Sequence, residues 1–177
     1  MKKLMWAAVA LTFVAMTSVA QNTPKADVAV GYNYLHVSAA GTGTNLNGFG
    51  ASVAYNVSSA VGIVGDLGYY HGSPSGVSLN DTSYTFGPRF SIRKYDKATP
   101  FVQALFGGSH LSASFGGFAG SANPFAFAFG GGVDFAIPNH SNIAFRPEFD
   151  YVGQRSNGTT LNGARIGIGI VFHIGQK

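Results

Sequence analysis

Between residues 26 and 174 the chain alternates, one residue to the next, between large apolar side chains and small or polar ones, in eight stretches of roughly ten or more residues. A period of two is what a β-strand shows when its two faces meet different surroundings. The stretches run approximately 26 to 37, 47 to 57, 61 to 71, 82 to 94, 100 to 112, 124 to 137, 142 to 153 and 161 to 174. Their connections alternate as well. Ser58 to Ala60, Tyr95 to Thr99 and Pro138 to Ser141 are short, whereas Ser38 to Leu46, Gly72 to Asp81, Ala113 to Asn123 and Gln154 to Thr160 are longer. An even number of strands with short turns on one side and longer loops on the other predicts a closed, up-and-down antiparallel barrel, all-β, with both chain ends on the short-turn side.

The two faces decide the solvent. One carries Val28, Val30, Tyr32 and Tyr34, then Phe49, Val53 and Tyr55, Ile63, Leu67 and Tyr69, and Tyr84, Phe86 and Phe90; it continues in the same way to Ile166, Ile168, Ile170 and Phe172, without a charge. The other carries glycine, serine and nearly every strand charge. A soluble ligand-carrying barrel turns its apolar face inward and a membrane barrel turns it outward. Charged residues are only 10% of the chain, against about 25% in soluble domains. The water-facing surface of a soluble barrel could not be built from this second face, so the apolar face is expected to meet lipid. Closure pairs every backbone group without an edge, as hydrocarbon requires.

Residues 1 to 20 differ from the rest: Lys2 and Lys3, an apolar run from Leu4 to Met16, and Ser18-Val19-Ala20 before Gln21 read as a cleavable export signal. The expected organisation is signal peptide 1–20, short leader 21–25, barrel 26–174 and tail 175–177. No stretch reaches the roughly 18 apolar residues of a membrane helix. With no cysteine, disulfides, thiolate metal sites and cysteine nucleophiles are excluded. The formal charge of +4 falls to +2 when Lys2 and Lys3 are removed (4 − 2), and no basic patch for nucleic acid follows.

The inward charges are Asp66, Asp134, Glu148 and Asp150 against Arg89, Arg93, Arg146 and Arg165. Counting from strand ends predicts three pairs across neighbouring strands: Asp66 with Arg89, Asp134 with Arg146 and Asp150 with Arg165. Such charges can mark an ion path. Balanced signs, however, suit a plug, because eight strands close a lumen just wide enough for side chains to fill. Three outward histidines, His36, His71 and His110, lie near the long-loop ends of alternate strands, too far apart to share one metal ion and at a level where polar residues meet headgroups. Tyr34, Tyr69, Tyr84 and Tyr151 toward the long loops and Tyr55 toward the short turns suit interfacial anchoring. Gly116-Gly117 and Gly130-Gly131-Gly132 lack the lysine and helix of a phosphate loop.

Arg165-Ile-Gly-Ile-Gly-Ile-Val-Phe172 fits the polar-x-Gly-x-x-apolar-x-apolar pattern of the outer-membrane assembly signal, carried by Arg165, Gly167, Ile170 and Phe172. Together with Gly130 to Asp134 and Ile143 to Tyr151, it makes residues 26 to 174 resemble the eight-stranded outer-membrane β-barrel domain family, of the outer-membrane-protein-A-like transmembrane type. Five residues follow Phe172, where many members end on the aromatic. The resemblance implies an outer-membrane location, contact with outer-membrane lipid or lipopolysaccharide, and recognition by the barrel-assembly machinery. It implies neither a cofactor nor a catalytic group. His110 and Ser112 share an outward face and resemble the pairing in outer-membrane lipid A deacylases, but Glu148, the only glutamate, points inward from another strand. The expectation is a non-enzymatic barrel serving envelope structure or surface contact, with an unknown surface ligand possible at its loops. A narrow solute pore and a lipid-modifying hydrolase are the alternatives.

Overall fold

The computed structural model describes residues 23–39, 42–156 and 158–175. The expected signal peptide, the first two residues of the leader and the last two residues of the tail lie outside the described residues. The strands are β1 (Ala26–Ala39), β2 (Thr42–Asn56), β3 (Val61–Gly72), β4 (Ser78–Ser91), β5 (Ala98–Phe115), β6 (Phe118–Ala122), β7 (Phe125–Ile137), β8 (His140–Ser156) and β9 (Thr159–Ile174). All pair antiparallel. Each long strand pairs with its sequence neighbours, β4 pairs with β5, and β1 pairs with β9 from Ala26↔Ile174 to Ser38↔Asn162, which closes the barrel. Eight strands are staves; β6 is a short return strand that pairs only with the top of β5.

The four hairpins expected as longer loops are mostly strand. Pairing climbs to Ala39↔Thr42, Phe115↔Phe118 and Ser156↔Thr159, leaving two-residue connections, and to Gly72↔Leu79, which leaves a six-residue loop containing the 3-10 turn Pro74–Gly76. The physical reason is that Ser, Thr, Asn and Gly above the apolar band still alternate and still pair, so polarity alone does not end a strand. β5 with β6 stands highest, and its turn, Gly116-Gly117, takes φ of +57° and +87°, a left-handed geometry that glycine adopts without steric cost. At the rim bearing both chain ends the connections span 57–60, 92–97 and 138–139, so they are no shorter than those of the opposite rim; the two rims differ instead in how far paired strand extends beyond the apolar band.

The apolar face is outside. Phe49, Leu67, Phe86, Val102, Phe149 and Ile168 are all exposed, while Asp66, Arg89, Gln103, Asp134, Arg146, Asp150 and Arg165 are buried. The interior is not confined to small and polar residues: Leu35, Leu46 and Tyr70 pack together toward the hairpin rim, Ala54, Val64, Leu105 and Ala128 in the middle, and Ala29, Ala144 and Val171 toward the terminal rim. Glycine makes room for the polar groups between them. A Cβ on Gly130 would lie 2.4 Å from Asp150 Oδ1 and 2.1 Å from the Phe149 carbonyl oxygen, so this site admits glycine alone beside that carboxylate.

Candidate functional site in the barrel lumen

The polar lumen is built in three tiers. At the terminal rim, Asp27 on β1 is fully enclosed. Its Oδ2 accepts from Arg93 Nη2 at 2.8 Å and from Asn56 Nδ2 at 2.9 Å, and its Oδ1 lies 2.7 Å from His173 Nδ1. One carboxylate thereby ties β2, the end of β4 and β9 to β1. Asn56 also donates to the Pro24 carbonyl at 3.0 Å, holding the segment that enters the barrel.

In the second tier, Arg146 on β8 forks onto Asp134 on β7, with Nε to Oδ1 at 2.5 Å and Nη2 to Oδ2 at 2.8 Å. The ring of Phe101 lies between two guanidinium groups, Arg89 at 4.2 Å from its centroid and Arg146 at 4.6 Å. The ring quadrupole attracts both cations and separates them. Arg89 reaches no carboxylate; its Nε and Nη2 both donate to Gln103 Oε1, at 3.1 and 2.8 Å. Gln103 passes the interaction on, since its Nε2 donates to Glu148 at 3.1 Å and Asp150 at 3.2 Å.

The third tier turns on Arg165 of β9. Its Nη1 donates to Asp66 at 2.7 Å and Tyr70 Oη at 3.4 Å, its Nη2 to Asp150 at 2.8 Å and Glu148 at 3.1 Å, and its Nε to Asp150 at 3.0 Å. A single cation on β9 therefore serves three carboxylates from two other strands, Asp66 of β3 and Glu148 and Asp150 of β8. Above it Gln154 donates to Asp81 at 2.5 Å. Two small cavities, of about 40 and 30 Å³, are both bordered by Arg165 and Asp66, room for a few waters each and for nothing larger.

Two of the three expected pairs form, Asp134 with Arg146 and Asp150 with Arg165. The pair of Asp66 with Arg89 does not. Asp66 stands opposite Thr85 and Arg89 opposite Gly62, four residues apart along the sheet, or roughly 13 Å at the usual rise. Counting from strand ends at residues 61 and 94 set Asp66 level with Arg89, but β4 ends at Ser91 and Val61 pairs with Phe90. Nor do the inward charges cancel as expected, because Asp27 and Asp81 also face the lumen, giving six carboxylates to four arginines. Parity marks both: Asp27 shares the inward phase of Gly31 and Asn33, and Asp81 that of Thr85 and Arg89. The same rule places Phe101 beside Gln103. Of the assembly-signal residues, Arg165 and Gly167 face the lumen, whereas Ile170 is half-buried and Phe172 lies on the outer face. β9 continues past Phe172 to Ile174, with His173 bonded to Asp27.

On the outer face, each of the three histidines is bound by an asparagine across its hairpin: His36 Nδ1 to Asn45 Oδ1 at 2.6 Å, His71 to Asn80 at 2.8 Å and His110 to Asn123 at 2.8 Å. His110 thus engages an amide; Ser112 is half-buried beside it.

An oily outer wall, a ladder closed on itself and an interior filled by ion pairs define the class as an integral β-barrel of a membrane. The model of the outer membrane protein beta-barrel domain matches residues 6–173, and the chain belongs to that family of outer-membrane proteins. Its location is the cell outer membrane. Among solved structures, it is similar to Neisserial surface protein A (NspA), at 14% identity and a TM-score of 0.73, over 85% of this chain and 97% of that one. It is also similar to Ail, the attachment invasion locus protein of Yersinia pestis, at 22% identity and a TM-score of 0.60, over 85% of this chain and 99% of that one. The N-terminal β-barrel domain of Pseudomonas aeruginosa OprF matches at 18% identity and a TM-score of 0.54, over 86% of this chain and 100% of that one. A search of curated proteins returns no match.

Proposed function

We propose that this outer-membrane barrel is a closed, non-enzymatic envelope protein that makes surface contacts through its exterior hairpins. The observation that carries this is the lumen: Arg165, held by three carboxylates between two cavities too small for solutes, spans the bore. With the bore filled, what the protein offers the outside is its hairpin rim. The most prominent part is the β5–β6 hairpin, whose tip residues Phe115 and Phe118 are 61% and 84% exposed. The tall hairpins opposite the chain ends, which carry pairing beyond the apolar band, support an outward-facing placement of that rim. The final strand, with Arg165, Gly167, Ile170 and Phe172, supplies the segment that the assembly machinery would read.

Planar-bilayer recordings test the closed lumen, with wild type expected to show no steady conductance. A sustained open level in wild type would overturn it in favour of a pore. For surface contact, Phe115→Ser with Phe118→Ser is expected to reduce cell-to-surface adherence while heat-dependent gel mobility, which reports barrel closure, stays unchanged. Equal adherence of the variant and wild type would remove the hairpin from the role.

A further inference from the structure

Where the outward apolar band ends toward the exterior, the strands turn to a common chemistry. On the rising strands the residues are His36, His71, His110 and, on β8, Arg155; on the falling strands they are Asn45 and Asn47, Asn80, Asn123 and Asn162. The hairpins repeat one arrangement. A ring nitrogen or phenol on the rising strand meets the side-chain oxygen of the asparagine: His36 with Asn45, His71 with Asn80, His110 with Asn123, and Tyr151 Oη with Asn162 at 2.7 Å. Tyr32 Oη donates to Asn47 at 2.8 Å and Tyr69 Oη to Asn80 at 3.1 Å.

The direction of these bonds fixes what the belt shows to its surroundings. An amide oxygen only accepts, so each imidazole must carry its proton on Nδ1 and turn Nε2 outward. The same bonds occupy Oδ1 of all five asparagines and leave their NH2 donors to face away. No carboxylate answers them. Of the chain's 7 acidic residues, Asp27, Asp66, Asp81, Asp134, Glu148 and Asp150 face the lumen and Asp96 lies in a turn at the terminal rim. The belt is thus a ring of N–H donors with one permanent cation, three groups that become cationic when protonated, and no anion.

We infer that this His–Asn collar, completed by Arg155, binds the phosphate groups of lipid headgroups in the outer leaflet. The inference rests on the lipid-embedded barrel. Charge complementarity selects the occupant: donors at the end of the apolar band meet the headgroup layer, and phosphate is the anionic acceptor there. Protonation adds an Nε2–H donor and a charge to each imidazole without breaking its bond to asparagine, so binding strengthens in mild acid. His36 lies between Asn45 on β2 and Ala164 on β9, His71 between Asn47 on β2 and Asn80 on β4, and His110 between Thr82 on β4 and Asn123, which links β6 to β7. Behind them, on the lumen side, stand Asp81 opposite Tyr70 and Leu111, and Arg165 opposite Leu35.

The test is electron spin resonance of the protein refolded into phosphatidylcholine vesicles, comparing association of spin-labelled phosphatidic acid and phosphatidylcholine at about pH 5.5 and about pH 8. Heat-dependent gel mobility is scored first; a protein that fails to enter the vesicles overturns the barrel itself, a result separate from any failure of the collar. Wild type is expected to prefer phosphatidic acid at least about threefold more at the lower pH, since one surface cation near an anionic leaflet is worth up to about fivefold. His36→Gln/His71→Gln/His110→Gln should lose that rise. Asn45→Asp/Asn80→Asp/Asn123→Asp, which keeps an acceptor for each imidazole but replaces the outward donors with charge, should lose the preference at both pH values. Identical selectivity of wild type and the histidine variant at both pH values would overturn the inference. So would loss of selectivity in inorganic phosphate but not in chloride of equal ionic strength, because the collar would then hold a free anion.

Discussion

Replacing Arg165 with alanine probes the lumen where one cation carries most of the load. Its guanidinium bonds Asp66, Glu148 and Asp150 at 2.7 to 3.1 Å, and Asp150 has no solvent exposure at all. At an effective dielectric of about 20, a pair of charges about 4 Å apart attracts by about 4 kcal/mol, so the three gross attractions reach about 12 kcal/mol. Most of that is offset by desolvation of the guanidinium and by repulsion among the carboxylates it gathers. What the variant exposes is the other side of the balance: three acids crowded in a narrow tube with their cation gone. Breaking a buried pair in this way costs about 3 to 5 kcal/mol. With a urea dependence of about 2 kcal/mol per molar, the unfolding midpoint should fall by about 2 M. The assay is urea unfolding of protein refolded in detergent or lipid, followed by circular dichroism and gel mobility, which avoids any effect of Arg165 on assembly in the cell. Arg165→Lys, which keeps the charge but loses the fork, should fall between. Because protonating an acid relieves the repulsion, the gap between Arg165→Ala and wild type should narrow from neutral pH to about pH 4. A midpoint shift worth less than about 1 kcal/mol would refute the reasoning, for it would mean that water in the lumen already screens the cluster.

Three further outcomes follow from the same geometry. Leu67→Arg, on the exposed middle of β3, should destabilise the protein by about 2 to 4 kcal/mol in bilayers, as a cation at the hydrocarbon midplane does; an unchanged unfolding free energy would deny that this face meets lipid. Phe101→Leu removes the ring between Arg89 and Arg146 and should cost about 1 to 3 kcal/mol in urea titration, from two desolvated cation–π contacts and lost packing. Asp27→Asn should leave the barrel closed but loosen its terminal rim, with amide exchange rising at Val171 to Ile174 because Arg93 and His173 lose their common acceptor; unchanged protection there would separate the cluster from rim stability.

The asparagine-rich stretches show where local pattern stopped being a guide. Residues 42 to 46 and 78 to 81 carry Thr, Asn, Ser and Asp, a composition that reads as loop. They are strand because the neighbouring stave offers paired backbone up to that height. With β4 ending at Ser91 rather than at 94, Arg89 lies four residues from Asp66 along the sheet, and Asp66 meets Arg165 across the lumen instead. Asp27 and Asp81 were legible by parity and Gln103 by its inward face. That Gln103 stands where a carboxylate would, joining Arg89 to Glu148 and Asp150, required the sheet to be closed.

The alternation of the sequence by itself determined eight staves, an oily exterior and a polar interior, since a period of two assigns every side chain to a face once one face must meet hydrocarbon. It also determined the pairs Asp134 with Arg146 and Asp150 with Arg165, which lie on adjacent strands in near register. Only the tertiary structure decided which groups meet across the lumen. Arg165 and Asp66 are 99 positions apart in sequence and belong to β9 and β3, which are not neighbours in the sheet. Closing the sheet into a narrow tube sets stagger and curvature together, and those distances decide partners that no single strand encodes.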